Sequence, residues 1–337
     1  MKFLKMKARF LRFAFVLSLC ALCFGCQKKE KFFYTTLGDL GVEILDIEPI
    51  DESDFIVLGY DKVDHNIYES TFLLCHESDG SKWNSSVKMR IMDKYNDVAF
   101  ADGVVWFCGD NMFLSKSFDT LRTRQRHTKF TWWDEWPSEK TNLKEMYVQN
   151  GRPKYMIGTD DLLSGSFYHY AYSDTVYSGS KKKYGLNDMV VHNGDVYVAG
   201  YGSILRVTNN GKTETLENIG GENFTHICVG GDYLFACSYS GNIYRSEIGS
   251  NSWKKISTLG KKLLFIEANS KGDVIATGES KEILVSTNFG TEWREEKYSD
   301  GNKISCVVAV GDNFYIGTEK GVVLKVTHKM LSLNDQE

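Results

Sequence analysis

From Leu263 to Lys297 the chain alternates short apolar runs with turn-forming residues, and it ends on a charged run. Leu263 to Ala268, Asp273 to Thr277 and Ile283 to Thr287 predict three strands, the first runs almost wholly apolar, as strands buried on both faces are. Thr291 to Lys297 predicts a fourth strand that keeps Trp293 and is otherwise charged. Polarity thus rises along the unit. That gradient suits a four-stranded antiparallel sheet set radially, with its inner edge buried and its outer edge wet. Such a sheet cannot bury its own faces and needs neighbours of the same kind.

The same pattern recurs along the chain, with first strands beginning near Val42, Tyr95, Leu143, Leu186, Phe224, Leu263 and Ile304. Two glycine columns fix the alignment. The first hairpin turn carries Gly103, Gly151, Gly194, Gly231, Gly272 and Gly311, where a tight turn needs positive φ. Six residues further stand Gly109, Gly200, Gly278 and Gly317, with Cys237 in the fifth repeat, while Gly59 and Gly158 keep the column in the first and third. Glycine at the end of a second strand fits a bend or a close neighbour. The last repeat runs out after its third strand, near Leu331. Lys31 to Leu37 (KFFYTTL) matches the fourth-strand run WKKISTL, Trp253 to Leu259, so the N-terminal segment is expected to supply the missing outer strand. Pairing both termini in one sheet removes exposed edges. The expected fold is all-β: a seven-bladed β-propeller of four-stranded antiparallel blades, its N-terminal strand closing the last blade.

The turn after the third strand carries a family resemblance. STNFGTEW, Ser286 to Trp293, resembles the Asp-box of BNR repeat proteins, S-x-D-x-G-x-x-W, with Asn288 in the Asp place. HESDGSKW (His76 to Trp83) keeps Gly80 and Trp83, SEIGSNSW (Ser246 to Trp253) keeps the Ser and Trp, and SKSFDTLR (Ser115 to Arg122) lacks the Gly and Trp. The resemblance implies a structural turn lock, in which a short polar side chain bonds backbone amides and Trp wedges between blades. It also implies kinship with photosystem-assembly-factor-like propellers, which act as assembly or recognition platforms.

The first 26 residues stand apart from the repeats. Lys2, Lys5, Lys7, Arg9 and Arg12 precede an apolar run from Phe13 to Phe24 and then Gly25-Cys26. The run is shorter than the ~18–20 residues a membrane-crossing helix needs, and its basic flank marks a secretory signal. Its end resembles a bacterial lipoprotein signal peptide, which implies cleavage before Cys26 and lipidation there. Residues 1–25 are then the signal peptide, 26–30 a tether, and 31–337 the propeller. The resemblance places the protein in a bacterial envelope, bound to the membrane by lipid. Gln27-Lys28-Lys29-Glu30 lacks the acidic run of surface-export signals, which favours an outer-membrane anchor facing the periplasm.

Without those five basic residues the chain carries 35 Lys and Arg against 44 Asp and Glu, a charge of −9. That balance, with no long basic run, excludes nucleic acid as the natural partner. Cys75, Cys108, Cys228, Cys237 and Cys306 sit in apolar runs and read as small buried residues, although Cys228 and Cys237 flank a turn and could pair. No Cys or His has metal-ligand spacing, so neither metal nor cofactor is expected.

Candidate chemistry gathers on the loops that join blades and those between second and third strands, which share one face and are longest in the first three repeats. FTWWDEWP, Phe130 to Pro137, brings Trp132, Trp133 and Trp136 together with Asp134 and Glu135. Aromatic faces stack on sugars or peptide side chains while carboxylates bond hydroxyls; alternatively these tryptophans cover the blade edge or plug the channel mouth. Asp61 and Asp64 in the first repeat, and Asp160 and Asp161 in the third, are expected on neighbouring loops. No G-x-S-x-G, P-loop or His-Glu-x-x-His is present, and the Arg-Ile-Pro type motif of sialidases is absent. The reading is a monomeric, membrane-tethered, non-enzymatic platform for an envelope protein or glycan. The alternative is a carbohydrate-active hydrolase or lyase using the same face.

Overall fold

The computed structural model describes residues 30–332, except 32–33, 65–66, 79–81, 92–94, 110–111, 120–130, 133–140, 161–164, 171–175, 183–184, 209–212, 218–220, 251, 280 and 300. The described strands form a β-propeller of small antiparallel sheets, made from residues 43–91, 95–132, 141–182, 186–217, 224–258, 263–297 and 304–327 in order. Within each of these ranges the strands follow chain order, as meanders do. Apolar clusters fill the gap between each sheet and the next. A further cluster joins the sheet of 304–327 to that of 43–91 through Tyr315 and Val323 on one side and Phe55 and Trp83 on the other. Full burial of one such side chain contributes roughly 1.5–3 kcal/mol, so the seams between sheets carry the stability.

Local sequence explains the turns. Asp102-Gly103, Asn150-Gly151 and Asn193-Gly194 all have positive φ at both residues, the type I′ geometry that matches strand twist. The Ser286 to Trp293 turn is a dense local lock. Gly290 N–H donates to Ser286 Oγ (2.9 Å), Glu292 N–H to Asn288 Oδ1 (2.9 Å), and Trp293 Nε1–H to the Gly290 carbonyl (3.0 Å). The Phe289 ring lies over Gly231 and Gly272, where an added Cβ would stand 2.7 Å from it. Trp83 and Trp253, from the two weaker copies of the turn that keep the Trp, are buried in seams.

The N-terminal segment supplies the outer strand of the last sheet. Thr35–Asp39 runs antiparallel to Val322–Thr327, with Leu37 buried in the closing cluster. This strand starts four residues later than Lys31, the start expected from the sequence match, because the chain first pairs with the neighbouring sheet and joins the last one only at Thr35. Glu30 and Lys31 pair instead, in parallel, with Glu296 and Lys297 of the neighbouring sheet. The same seam holds a buried polar group: Tyr315 donates its hydroxyl to Glu77 Oε2 (2.7 Å) and Lys325 Nζ bonds Glu77 Oε1. After Thr327 the chain turns into a one-turn helix, His328–Ser332.

All five cysteines of the repeats are free and buried. Cys228 and Cys237 do not pair with each other: they sit opposite Phe235 and His226 in the ladder.

Candidate functional site

The first strands of the sheets lie innermost and line a channel of about 630 Å³. Every first strand is bulged at the same place, after Ile44, Tyr95, Leu143, Leu186, Phe224, Leu263 and Ile304. Gly59, Gly109, Gly158, Gly200 and Gly278 stand opposite these residues in the second strands. Ser238 and Thr318 hold that place in the other two sheets. Crowding by the bulged strand explains the glycines. A Cβ on Gly278 would meet the Lys262 carbonyl oxygen at 1.9 Å, and one on Gly59 would meet that of Glu43 at 2.6 Å. Gly317, taken with this column in the sequence, sits one residue earlier, opposite Cys306, and is crowded by the Cys306 thiol instead.

The bulge turns two successive side chains toward the neighbouring sheet. The first makes polar bridges: Asn96 Nδ2–H donates to the Leu143 carbonyl (2.7 Å), Asn187 Nδ2–H to that of Phe224 (2.7 Å), and Thr225 Oγ1–H to that of Leu263 (2.9 Å). Lys144 Nζ donates to Asn187 Oδ1 at 2.9 Å. The second position holds Asp46, Asp97, Glu145 and Asp188 in the first four sheets. Each accepts a backbone N–H from the next sheet: Val98 (3.2 Å), Met146 (2.7 Å), Met189 (2.6 Å) and Ile227 (2.6 Å). His226 fills the place in the fifth sheet, its Nδ1 3.3 Å from Asp188. Phe265 and Cys306 fill it in the last two, so the polar line stops there.

These carboxyls touch the channel, yet protein surrounds them, and that enclosure governs their acidity. Burial raises Asp97 well above the usual carboxylate range, and repulsion from Asp46 adds to it. Glu145 is raised likewise, by burial and then by Asp188. Asp46 is raised by burial, against a partial offset from its hydrogen bond with Asp97. Glu48, which accepts the Phe100 N–H at 2.9 Å, is pushed up to about 8 by burial and by Asp46. Burial also raises Glu267 and lowers Lys144. Among the described residues, no cluster of His, Cys, Asp and Glu is arranged to hold a metal ion.

On the face that carries the connections between sheets, one position repeats with different chemistry. Tyr201, Tyr239, Glu279 and Glu319 each follow the residue that closes a second strand, in four consecutive sheets. Tyr201 and Tyr239 are 42% and 39% exposed, the large apolar side chains most open to solvent among the described residues. Lys262 Nζ lies 4.4 Å from the centre of the Tyr239 ring, donates to its hydroxyl (2.7 Å), and faces Glu279 at 3.3 Å. Lys303 pairs with Glu319. The rim is therefore aromatic on one side and ionic on the other.

The residues picked from the sequence fall differently. Trp132 belongs to a short outer strand, Thr131–Trp132, paired with Leu114 and Ser115, rather than to an inter-sheet loop. Trp133, Asp134, Glu135, Trp136 and Asp161 lie outside the described residues, as does Cys26. Asp61 and Asp64 were expected on a loop but lie in strand Asp54–Asp64, because that hairpin keeps pairing up to Asp64 and Ile67. Asp160 likewise ends strand Arg152–Asp160, opposite Thr141. Sequence reading passed over Tyr201, Tyr239 and the acidic line. The signal was there in part: an aromatic directly after Gly200, and a carboxylate two residues after the apolar start of each of the first four repeats.

No family model matches this chain and no curated protein matches it in sequence. Solved structures do match in fold. A structure of YCF48 bound to D1 peptide superposes with a TM-score of 0.63 at 14% identity, over 89% of this chain and 96% of that one. The WD40 β-propeller domain of Doa1 gives 0.66 at 15%, over 87% and 96%. Virginiamycin B lyase from Staphylococcus aureus gives 0.63 at 12%, over 88% and 98%. At these identities the likeness shows the fold alone.

Proposed function

We propose that the chain is a closed, seven-bladed propeller, tethered through a lipidated Cys26, that receives an envelope protein on the face bearing Tyr201 and Tyr239. The observation that carries this reading is the pair of exposed tyrosines at one repeated position of adjacent sheets. Monomeric folds seldom leave aromatic side chains open in register, and Tyr is enriched where partners bind. The negative balance of the chain beyond residue 25 favours a partner with a basic surface. A peptide-bound propeller among the fold neighbours supports a protein ligand. The BNR-type turns act as scaffold on the opposite face.

The decisive experiment is crosslinked capture from native envelopes with the full chain and with Tyr201→Ala/Tyr239→Ala. A specific protein that is enriched by the parent and lost with the variant supports the reading. Equal recovery by both removes this face from consideration, and release of a cleaved glycan by the parent would favour the enzyme alternative. Cys26→Ser should abolish incorporation of labelled fatty acid and free the chain from membranes; retention of label would place the acylation elsewhere.

A further inference from the structure

The C-terminal turn brings together three side chains that no part of the binding chemistry uses. His328 follows the last strand and opens the helical turn His328–Ser332. Its Nδ1–H donates to both carboxylate oxygens of Asp273, each at 2.9 Å. Asp273 is fully buried at the first hairpin of the neighbouring sheet. Asn269 fixes it there: its Nδ2–H donates to Asp273 Oδ2 at 2.8 Å, and its Oδ1 accepts the Asp273 N–H at 3.0 Å. On the other side of the imidazole, Ser332 Oγ lies 3.4 Å from Nε2. The spacing of four residues stacks Ser332 over His328 on one helical face.

A carboxylate only accepts hydrogen bonds, so in the neutral ring Nδ1 carries the proton and Nε2 presents its lone pair to the serine. Hydroxyl, base and a third group orienting the base then stand in the order that activates an oxygen nucleophile. At rest the hydroxyl donates to the His328 carbonyl at 2.8 Å, the bond a serine makes to the fourth residue back in a helix. Turning about the Cβ–Oγ bond redirects that proton to Nε2. The His328 side chain is 40% exposed and Ser332 is half-buried, so a substrate carbonyl reaches Oγ from solvent. Asp273 precedes a second strand, whereas Tyr201 and Tyr239 follow second strands, so the three side chains lie at the other end of the sheets. They share that end with the Ser286 to Trp293 turn, whose Phe289 N–H donates to the Gly272 carbonyl at 2.8 Å.

We propose that Ser332, His328 and Asp273 form a second site, at which Ser332 takes the acyl group of a carboxylic ester. The bond from Oγ to the carbonyl carbon forms as Nε2 takes the hydroxyl proton. The ester C–O bond then breaks, and the alcohol leaves with that proton. Water attacks the acyl-serine next and gives a proton to Nε2; the acid departs, and the proton returns to Oγ. Esters fit better than amides, because an alcohol leaves with less help than an amine. Asp273 is a positioning residue that acts only through the imidazole.

The test uses the full chain, a fluorophosphonate probe and p-nitrophenyl acetate. Mass spectrometry of the labelled parent should place the probe on Ser332, and Ser332→Ala should lose it. His328→Gln should slow both labelling and nitrophenolate release at least about a hundredfold, the usual worth of a general base. Nitrogen NMR of the histidine rings should show the neutral His328 protonated at Nδ1 in the parent, and Asp273→Asn should move that proton toward Nε2. Equal labelling of Ser332 in the parent and in His328→Gln, at matching urea midpoints, overturns the proposal. An Nε2–H tautomer in the parent overturns it as well. If a variant does not fold, the labelled-peptide map of the parent decides: Ser332 labelled no faster than the other serines overturns the site, and preferential labelling there supports it.

Discussion

The strand that closes the ring offers the most direct perturbation. Leu37 is 2% exposed and packs with Val42, Phe55, Trp83 and Val323, at the seam where the first and last sheets meet. Truncating a buried leucine removes its transfer energy and leaves a cavity, together about 2–5 kcal/mol. A value of ~3 kcal/mol shifts the unfolding constant by about 150-fold, since ~1.4 kcal/mol is a factor of ten. Thr36, next to it, is exposed, and Thr36→Ala should stay within about 0.5 kcal/mol. Equilibrium urea unfolding followed by tryptophan fluorescence measures both, because Trp83 stacks on Phe55 at a centroid distance of 4.6 Å in the same seam. Deleting residues 27–37 should lower the midpoint at least as far as Leu37→Ala, because the ladder to Lys325 and Leu324 goes with it. If Leu37→Ala unfolds where Thr36→Ala does, and the deletion unfolds where the parent does, the N-terminal segment is not the closing strand.

Four further outcomes follow from the packing and the charges. Glu48→Gln should flatten part of the fall in stability between about pH 4.5 and pH 8, because its folded value of about 8 lies above that of the unfolded chain; a midpoint-against-pH series checks it. Gly278→Ala should destabilise by at least ~1–3 kcal/mol, since its Cβ would collide with rigid backbone at the Lys262 carbonyl. Ser286→Ala should cost about 1 kcal/mol, the usual worth of a side-chain cap, as read from thermal or urea melts. Cys237, buried and with its thiol pushed up to about 12, should resist alkylation at pH 8 until the chain is unfolded, as mass spectrometry of labelled peptides will show.

What was legible in the sequence was whatever repeats with a steric cause. The hairpin glycines and Asn-Gly or Asp-Gly pairs mark positive φ, and the glycines after the second strand mark a carbonyl with no room for a Cβ. The closing strand was legible because KFFYTTL carries the pattern of an outer strand, although its register had to come from where Leu37 packs. The acidic line escaped because Asp46, Asp97, Glu145 and Asp188 interrupt runs that otherwise look like buried apolar strands. Only the bulge, a feature of pairing rather than composition, turns them toward a neighbour's amide. Asp61, Asp64 and Asp160 follow the glycines expected to end the second strands, and polar residues of a hairpin that goes on pairing past those glycines read the same way as a loop. The tryptophan-rich stretch announced itself by composition, which says what it could stack on but not where the strand Thr131–Trp132 would place it.

The short parallel pairing of Glu30 and Lys31 with Glu296 and Lys297 determines how the molecule can be carried. Those partners form the outermost strand of their sheet, and Cys26 is only four residues away, a reach of at most ~14 Å. The lipid tether proposed at Cys26 would therefore reach the disc at its circumference, as an axle-free wheel hangs from a point on its tyre. Such a suspension would leave both ends of the bore free of the attachment point.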